Sequence, residues 1–228
     1  MSEQVNTTAL AERLDAVRAR IAATGRAPDD VVVVAVTKGF GAEAVEAASA
    51  IGLADVGENY AQELHEKWKA VPADGRRWHF LGRVQRNKVR TIAGAVHLWQ
   101  GVDRMAAGEE IARRAPGAHV LVQVDIDGDD APAGRNGCAP DHVPELVERL
   151  GGLGLDVRGL MAVGPAGAPE LARPGFRTVS ALADRLGLAV RSMGMTDDFA
   201  VAVEEGSTMV RVGRGLFGAR PVAPSMRR

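Results

Sequence analysis

Lys38 stands two residues beyond Val31 to Val36, a run of five valines and one alanine. A lysine at the mouth of so apolar a run either snorkels to water along its aliphatic stem or holds its amine in a cavity. In a cavity, burial disfavours the ammonium and lowers its pKa, and the neutral amine is the nucleophile that condenses with an aldehyde. Near the other end, Gly213, Gly215 and Gly218 spell GxGxxG after the apolar run from Met209 to Val212. Only ten residues follow Gly218, too few for a dinucleotide-binding unit and its ribose-binding acid. A phosphate cradle, where backbone N–H groups approach an anion without Cβ obstruction, remains. Arg211, between Val210 and Val212, is either a buried ion-pair partner or a fixed cation facing a heterocycle.

Other polar groups follow apolar runs closely. Gly57-Glu58-Asn59-Tyr60 ends one, Trp78-His79-Phe80-Leu81-Gly82 another, with Gln85, Asn87 and Lys88 beyond it. Ser192-Met193-Gly194-Met195-Thr196-Asp197-Asp198 ends a third, where Thr196 or Asp197 suits a helix cap. His65, His79, His97, His119 and His142 are scattered, none at metal-ligand spacing to another His or to Cys138. A zinc site and a Cys/His nucleophile pair are therefore not expected.

The elements that must position these groups alternate. Leu10, Leu14, Val17 and Ile21 recur at helical spacing, predicting an N-terminal amphipathic helix. Strands are predicted at Val31–Val36, Leu53–Val56, Trp78–Leu81, Ala95–Gln100, His119–Asp125, Val157–Ala162, Val190–Met193 and Met209–Val212. Helical patterns fall at Ala42–Ile51, Ala61–Lys69, Arg104–Arg114, Val143–Leu150, Arg177–Leu186 and Phe199–Glu205, with Gly164–Gly175 predicted as a loop. Eight such units predict an α/β fold of the (β/α)8 TIM barrel type, preceded by the N-terminal helix, and an open doubly wound sheet is the alternative. No linker divides the chain, so residues 1–228 are expected to form a single domain.

Twenty-eight Lys and Arg against 29 Asp and Glu leave a net charge of −1, which argues against nucleic acid or an anionic membrane surface as partner. One cysteine excludes an internal disulfide. The charged N-terminal stretch lacks a signal-peptide core, and no apolar run reaches membrane-spanning length, so a cytoplasmic location is expected.

Strand-end lysine, terminal phosphate cradle and strand-borne arginine together describe a site for a phosphorylated aldehyde, of which pyridoxal 5'-phosphate (PLP) is the obvious example. The segments VAVTK (Val34 to Lys38), GENYAQEL (Gly57 to Leu64), WHFLGRVQRNK (Trp78 to Lys88), GLMAV (Gly159 to Val163), SMGMTDDF (Ser192 to Phe199) and GSTMVRVGRGLFG (Gly206 to Gly218) resemble the pyridoxal phosphate homeostasis proteins, the YggS/PROSC-like family, from about Val31 to Arg220. The resemblance implies a fold-type III PLP-binding barrel of the alanine racemase N-terminal type, with Lys38 as imine-forming lysine and no established catalytic turnover. It implies Asn59 as a cofactor neighbour, Ser192, Gly213 and residue 214 at the phosphate, and Arg211 near the pyridine nitrogen. His79 and Met193, in the matching segments, join the expected cofactor-binding set.

Two positions depart from the family. Arg214 replaces the usual Thr or Ser, and either grips the phosphate bidentately or swings to solvent. Arg135-Asn136-Gly137 replaces Lys-x-Gly, keeping the loop's charge. Against a PLP carrier stand a racemase or decarboxylase of the same fold and a sugar-phosphate barrel enzyme using Asp103 and Asp125 as acid and base. The racemase needs a second base from a further β domain, and the one tyrosine, Tyr60, lies in the GENY segment. A monomer is expected, with PLP-dependent apo-enzymes as candidate recipients.

Overall fold

The structure, a computed structural model, describes residues 6–72, 75–127 and 137–220. Among them, eight parallel strands close a barrel in chain order: β1 (Val32–Val36), β2 (Asp55–Glu58), β3 (Arg77–Phe80), β4 (Val96–Val102), β5 (His119–Gln123), β6 (Asp156–Met161), β7 (Val190–Ser192) and β8 (Met209–Val212). Closure pairs β1 with β8 and sets Val34 beside Arg211. The helices are α1 (Thr7–Ala22), α2 (Ala42–Ala50), α3 (Ala61–Ala70), α4 (Arg86–Ile92), α5 (Met105–Arg114), α6 (Val143–Gly152), α7 (Arg173–Arg185), α8 (Phe199–Glu204) and α9 (Arg214–Phe217). The expected TIM barrel, helix first, is the observed one. None of the described helices is long and apolar enough to cross a membrane.

Differences from the predicted elements have local causes. β2 runs on through Gly57 and Glu58 because the Glu58 charge is paired inside the fold, while Leu53 belongs to the preceding turn, its N–H bonded to Ala48 O. α4 exposes all but Val89 and Ile92, too few apolar positions to register as a periodic pattern. α7 begins four residues before the predicted start and takes in Gly175, since Pro174 falls in its first turn, where a missing N–H costs nothing. A Cβ on Gly175 would lie 2.7 Å from Ile126.

Val34, Leu98, Leu121, Met161 and Met209 fill the barrel interior, and two larger apolar clusters seal the helices to its outside. α1 buries Leu10, Leu14, Val17 and Ile21, each contributing roughly 1.5–3 kcal/mol relative to exposure. Asn6 caps it by accepting from Ala9 N–H at 3.0 Å. α1 also pins the last two strand-end loops: Arg13 donates to Leu216 O at 3.0 Å, and Arg20 lies 4.1 Å over the Phe199 ring while donating to Thr196 O at 3.3 Å.

Candidate functional site

At the C-terminal ends of the strands, where a barrel of this kind gathers polar side chains from separate loops, lies a cavity of about 270 Å³. Lys38 reaches it from β1, Asn59 from β2, Arg211 from β8, and Arg214 and Arg220 from beyond. Val36, Leu81, Met161 and Val163 supply apolar wall. Lys38 is half-buried and makes no hydrogen bond or ion pair among the described residues. Burial first, then the charges of Arg220 and Arg211, push its amine below the ordinary lysine value, against the pull of Glu58 and Glu63.

The backbone on either side of Lys38 is fixed by one polar cluster. Lys67, on α3 and nearly fully buried, spends its three donors on Thr37 O at 2.8 Å, Glu58 Oε1 at 2.6 Å and Glu63 Oε2 at 3.3 Å. The Thr37 hydroxyl donates to Glu58 Oε1 at 2.5 Å, and Gly39 N–H donates to Glu63 Oε2 at 2.8 Å. Gly39 sits at φ 78°, a turn conformation that glycine adopts without the Cβ penalty. Glu58 Oε2 is buried with no partner among the described residues, and burial raises the Glu58 carboxyl despite the opposing charge of Lys67. The ammonium of Lys67 thus offsets part of the negative charge that favours protonation of Lys38.

Across the cavity, Gly215 N–H donates to Thr196 Oγ1 at 3.1 Å, tying the β8 loop to the β7 loop, which Asp198 Oδ1 braces by accepting from Met195 N–H at 2.6 Å. Arg214 is exposed, and its guanidinium donates to Asp197 Oδ2 at 2.6 Å. Arg211 is 4% exposed. It donates to Ser192 O at 2.6 Å, Ser192 Oγ at 2.8 Å and Ala162 O at 2.7 Å. Burial lowers its pKa to about 10, against the charge of Asp198, so it stays a cation at neutral pH. Asn59 is held from behind: a Cβ on Gly82 would stand 2.0 Å from Asn59 O, so only glycine lets the β3 turn lie against it.

Of the residues expected from the sequence, Lys38, Asn59, Arg211, Gly213 and Arg214 line this cavity. Ser192, Met193 and His79 do not. The Ser192 hydroxyl is fully buried and engaged with Arg211 and Gln100, and Met193 is buried in the outer apolar cluster. His79 is 1% exposed within the barrel, between Asp55 and Gln100. Asp103 pairs with Arg104, and Asp125 lines a neighbouring cavity of about 290 Å³, so the two do not converge on the Lys38 cavity as an acid and base pair. Cys138 bridges to Val124, away from the Lys38 cavity. Arg135 and Asn136 lie outside the described residues. Arg220 and Lys67 were not anticipated. Arg220 follows the last helix, in no periodic element, and Lys67 reads from sequence as one of several charges on an amphipathic helix.

The donor set fits a phosphorylated aldehyde: one primary amine with lowered basicity, three guanidinium groups, and apolar wall for a flat ring. Fold and site define a barrel of the family described as alanine racemase, N-terminal domain, whose profile matches residues 5–221. Relatives narrow this. The pyridoxal phosphate homeostasis protein of Pseudomonas aeruginosa is 40% identical over 223 residues, covering 92% of this chain and 96% of its own. That of Escherichia coli K12 is 33% identical over 226 residues, covering 92% and 95%. The chain belongs to the pyridoxal phosphate homeostasis protein family. Among solved structures, PipY of Synechococcus elongatus PCC7942 superposes with TM-score 0.81 without PLP and 0.76 with PLP bound, at 30% identity, covering 92% of this chain and 100% of PipY. A lysine/ornithine decarboxylase from Vibrio vulnificus, at 13% identity and TM-score 0.71, shares the fold alone.

Proposed function

We propose that this chain is a PLP-binding protein of intracellular PLP homeostasis, which holds the cofactor reversibly at Lys38 and buffers or delivers it without catalytic turnover of its own. The observation that carries the reading is Lys38, a half-buried amine of lowered pKa and no hydrogen-bond or ion-pair partner among the described residues, on a cavity bordered by three arginines. The name shared by the relatives and the PLP-bound PipY support it.

PLP brings an aldehyde that condenses reversibly with a neutral amine, releasing water, and a phosphate dianion. Lys38 offers that amine more readily than an ordinary lysine, because burial and two nearby guanidinium groups disfavour its charge. Arg214, Arg220 and the Gly213 turn supply cations and backbone for the phosphate. Arg211, buried and anchored to two backbone carbonyls, presents a fixed positive charge that would keep a ring nitrogen unprotonated and so restrain carbanion chemistry. Asn59, reaching the cavity from the β2 side, would neighbour the bound cofactor. The chain acts as one unit over residues 1–228, as a monomer in the cytoplasm, with PLP-dependent apo-enzymes as recipients.

The test is to incubate the purified protein with PLP, reduce with borohydride and measure intact mass. A single adduct on Lys38, absent from Lys38→Ala, is expected, and an adduct on another lysine with Lys38 unmodified overturns the assignment. Incubation of the loaded protein with D- and L-amino acids then separates carrier from enzyme. Racemisation or decarboxylation sustained over many turnovers refutes the carrier reading.

A further inference from the structure

Arg211 has no carboxylate within ion-pair distance among the described residues, although it is almost fully buried. The charge of Asp198 acts on it without a direct bond and does not outweigh its burial, so a buried cation in that position calls for further compensation. One route leads from it through the barrel. Arg211 Nη1 donates to Ser192 Oγ at 2.8 Å, and Ser192 Oγ lies 2.6 Å from Gln100 Oε1. Gln100 Nε2 lies 2.8 Å from His79 Nδ1, and His79 Nε2 lies 2.9 Å from Asp55 Oδ1. Asp55, the first residue of β2, also takes the Arg77 guanidinium, with Nε at 2.8 Å and Nη2 at 2.5 Å.

The direction of every hydrogen in this row follows from its neighbours. Ser192 Oγ accepts from the guanidinium, so its own proton goes to Gln100 Oε1. Gln100 Nε2 also lies 3.2 Å from Met209 Sδ. Turning the amide over would set its oxygen against that sulfur, acceptor against acceptor, so the NH2 group faces His79. His79 Nδ1 must then accept, and its one proton sits on Nε2, aimed at Asp55. All four bonds donate in one sense, from the cation at one end to the anion at the other, and such rows polarise cooperatively in a low-dielectric interior. Burial alone would raise the Asp55 carboxyl, but hydrogen bonds from His79 and Arg77 outweigh it and hold it at about 2, so the far end of the row is anionic at neutral pH.

We infer that His79 and Gln100 are positioning residues for Arg211, linking its charge through Ser192 to Asp55 on β2, which flanks β1 on the side opposite β8, and that neither contacts the cofactor. The inference rests on the PLP reading only in what Arg211 faces. Ser192 and His79, expected at the cofactor, act one and three hydrogen bonds behind the cavity wall.

Two measurements need no cofactor. Long-range proton–nitrogen NMR of His79, assigned through the backbone, is expected to show a protonated Nε2 and a bare Nδ1 at neutral pH; an Nδ1–H tautomer or an imidazolium overturns the proposal. Exchange of the Arg211 guanidinium protons is expected to quicken at least tenfold in Gln100→Leu and His79→Leu. With PLP, these variants should bind about tenfold more weakly and shift the visible absorption of the bound cofactor, while borohydride still traps it on Lys38. His79→Asn, which returns an acceptor near the place of Nδ1, should stay within about threefold of wild type. Unchanged Arg211 exchange, affinity and spectrum in both leucine variants would mean that the row is packing alone. If the wild-type protein takes up no PLP at all, the functional reading fails and the exchange measurement still decides the row.

Discussion

Replacing Lys67 by Met should be strongly destabilising, because it strands charge inside the fold. Glu58 is fully buried, with Oε2 unpartnered and Oε1 shared between Lys67 and Thr37. Removing one partner of such a pair costs about 3–5 kcal/mol. At roughly 2–4 °C per kcal/mol for a chain of this size, the melting temperature should fall by ~6–20 °C. The double variant Glu58→Gln/Lys67→Met carries no buried charge there and keeps an acceptor for the Thr37 hydroxyl, leaving an unsatisfied amide worth about 1–3 kcal/mol. It should therefore be the more stable of the two. The pH dependence has a definite sign. The folded Glu58 carboxyl titrates above 4.5, so ionising it draws down stability as pH rises through that interval, more steeply without Lys67. The deficit of Lys67→Met against wild type should be larger at pH 8 than at pH 5. Lys38 should respond as well: with Glu58 and Glu63 less compensated, its amine becomes more basic, and the pH profile of borohydride-trapped PLP moves to the alkaline side. Thermal denaturation of wild type, single and double variants at both pH values checks the first two points. A single variant that melts with wild type, or a double variant no more stable than the single, would refute the account of Lys67.

Asp55→Asn should lose about 1–2 kcal/mol at pH 7, after allowance for the carboxyl's partial exposure. Because the folded carboxyl titrates at about 2 against an ordinary 3.8, that contribution is present above pH 3.8 and fades towards pH 2, and acid titrations of variant and wild type should converge there. Gly82→Ala places a Cβ 2.0 Å from Asn59 O, so it should lower both melting temperature and PLP affinity, the latter at least tenfold by fluorescence titration. Arg214→Thr breaks only an exposed ion pair with Asp197, so thermal stability should change by less than about 1 kcal/mol. PLP retention should weaken and lose part of its salt dependence, and unchanged retention would mean that Arg214 serves Asp197 alone.

The barrel was legible because each strand is a short apolar run between helical patterns, and Lys38 and Arg211 were legible because charge is costly in such runs. What the runs do not state is depth. On β3, Trp78 and Phe80 belong to the outer apolar cluster, while His79 lies among the polar groups of the interior. A two-residue period gives the face and says nothing of whether a residue stands at the rim or one layer below it. His79 and Ser192 were therefore expected at the cofactor, and they lie off the lining of the Lys38 cavity. Lys67 was hidden for another reason: helical spacing cannot distinguish a lysine in water from one buried against Glu58 across 9 residues of chain. Arg135 and Asn136, outside the described residues, bear on none of this.

Lys38 and Arg211, two of the charged groups facing the cavity, are treated in opposite ways by their surroundings, and that asymmetry constrains what the site can do. Behind Lys38 stand two carboxylates that share the one ammonium of Lys67, so their pull on the amine is reduced and burial outweighs it. Around Arg211 every direct acceptor is neutral, and the nearest anion along its hydrogen-bond row is Asp55, four bonds away. A carboxylate placed directly on Arg211 would draw its charge away from the cavity, and a carboxylate left free beside Lys38 would favour its ammonium form. The fold limits both, with helix α3 supplying a cation beside the carboxylates on one side and the barrel interior a polarised row on the other. An amine of lowered basicity beside a cation that opposes protonation of a bound ring suits reversible capture of an aldehyde.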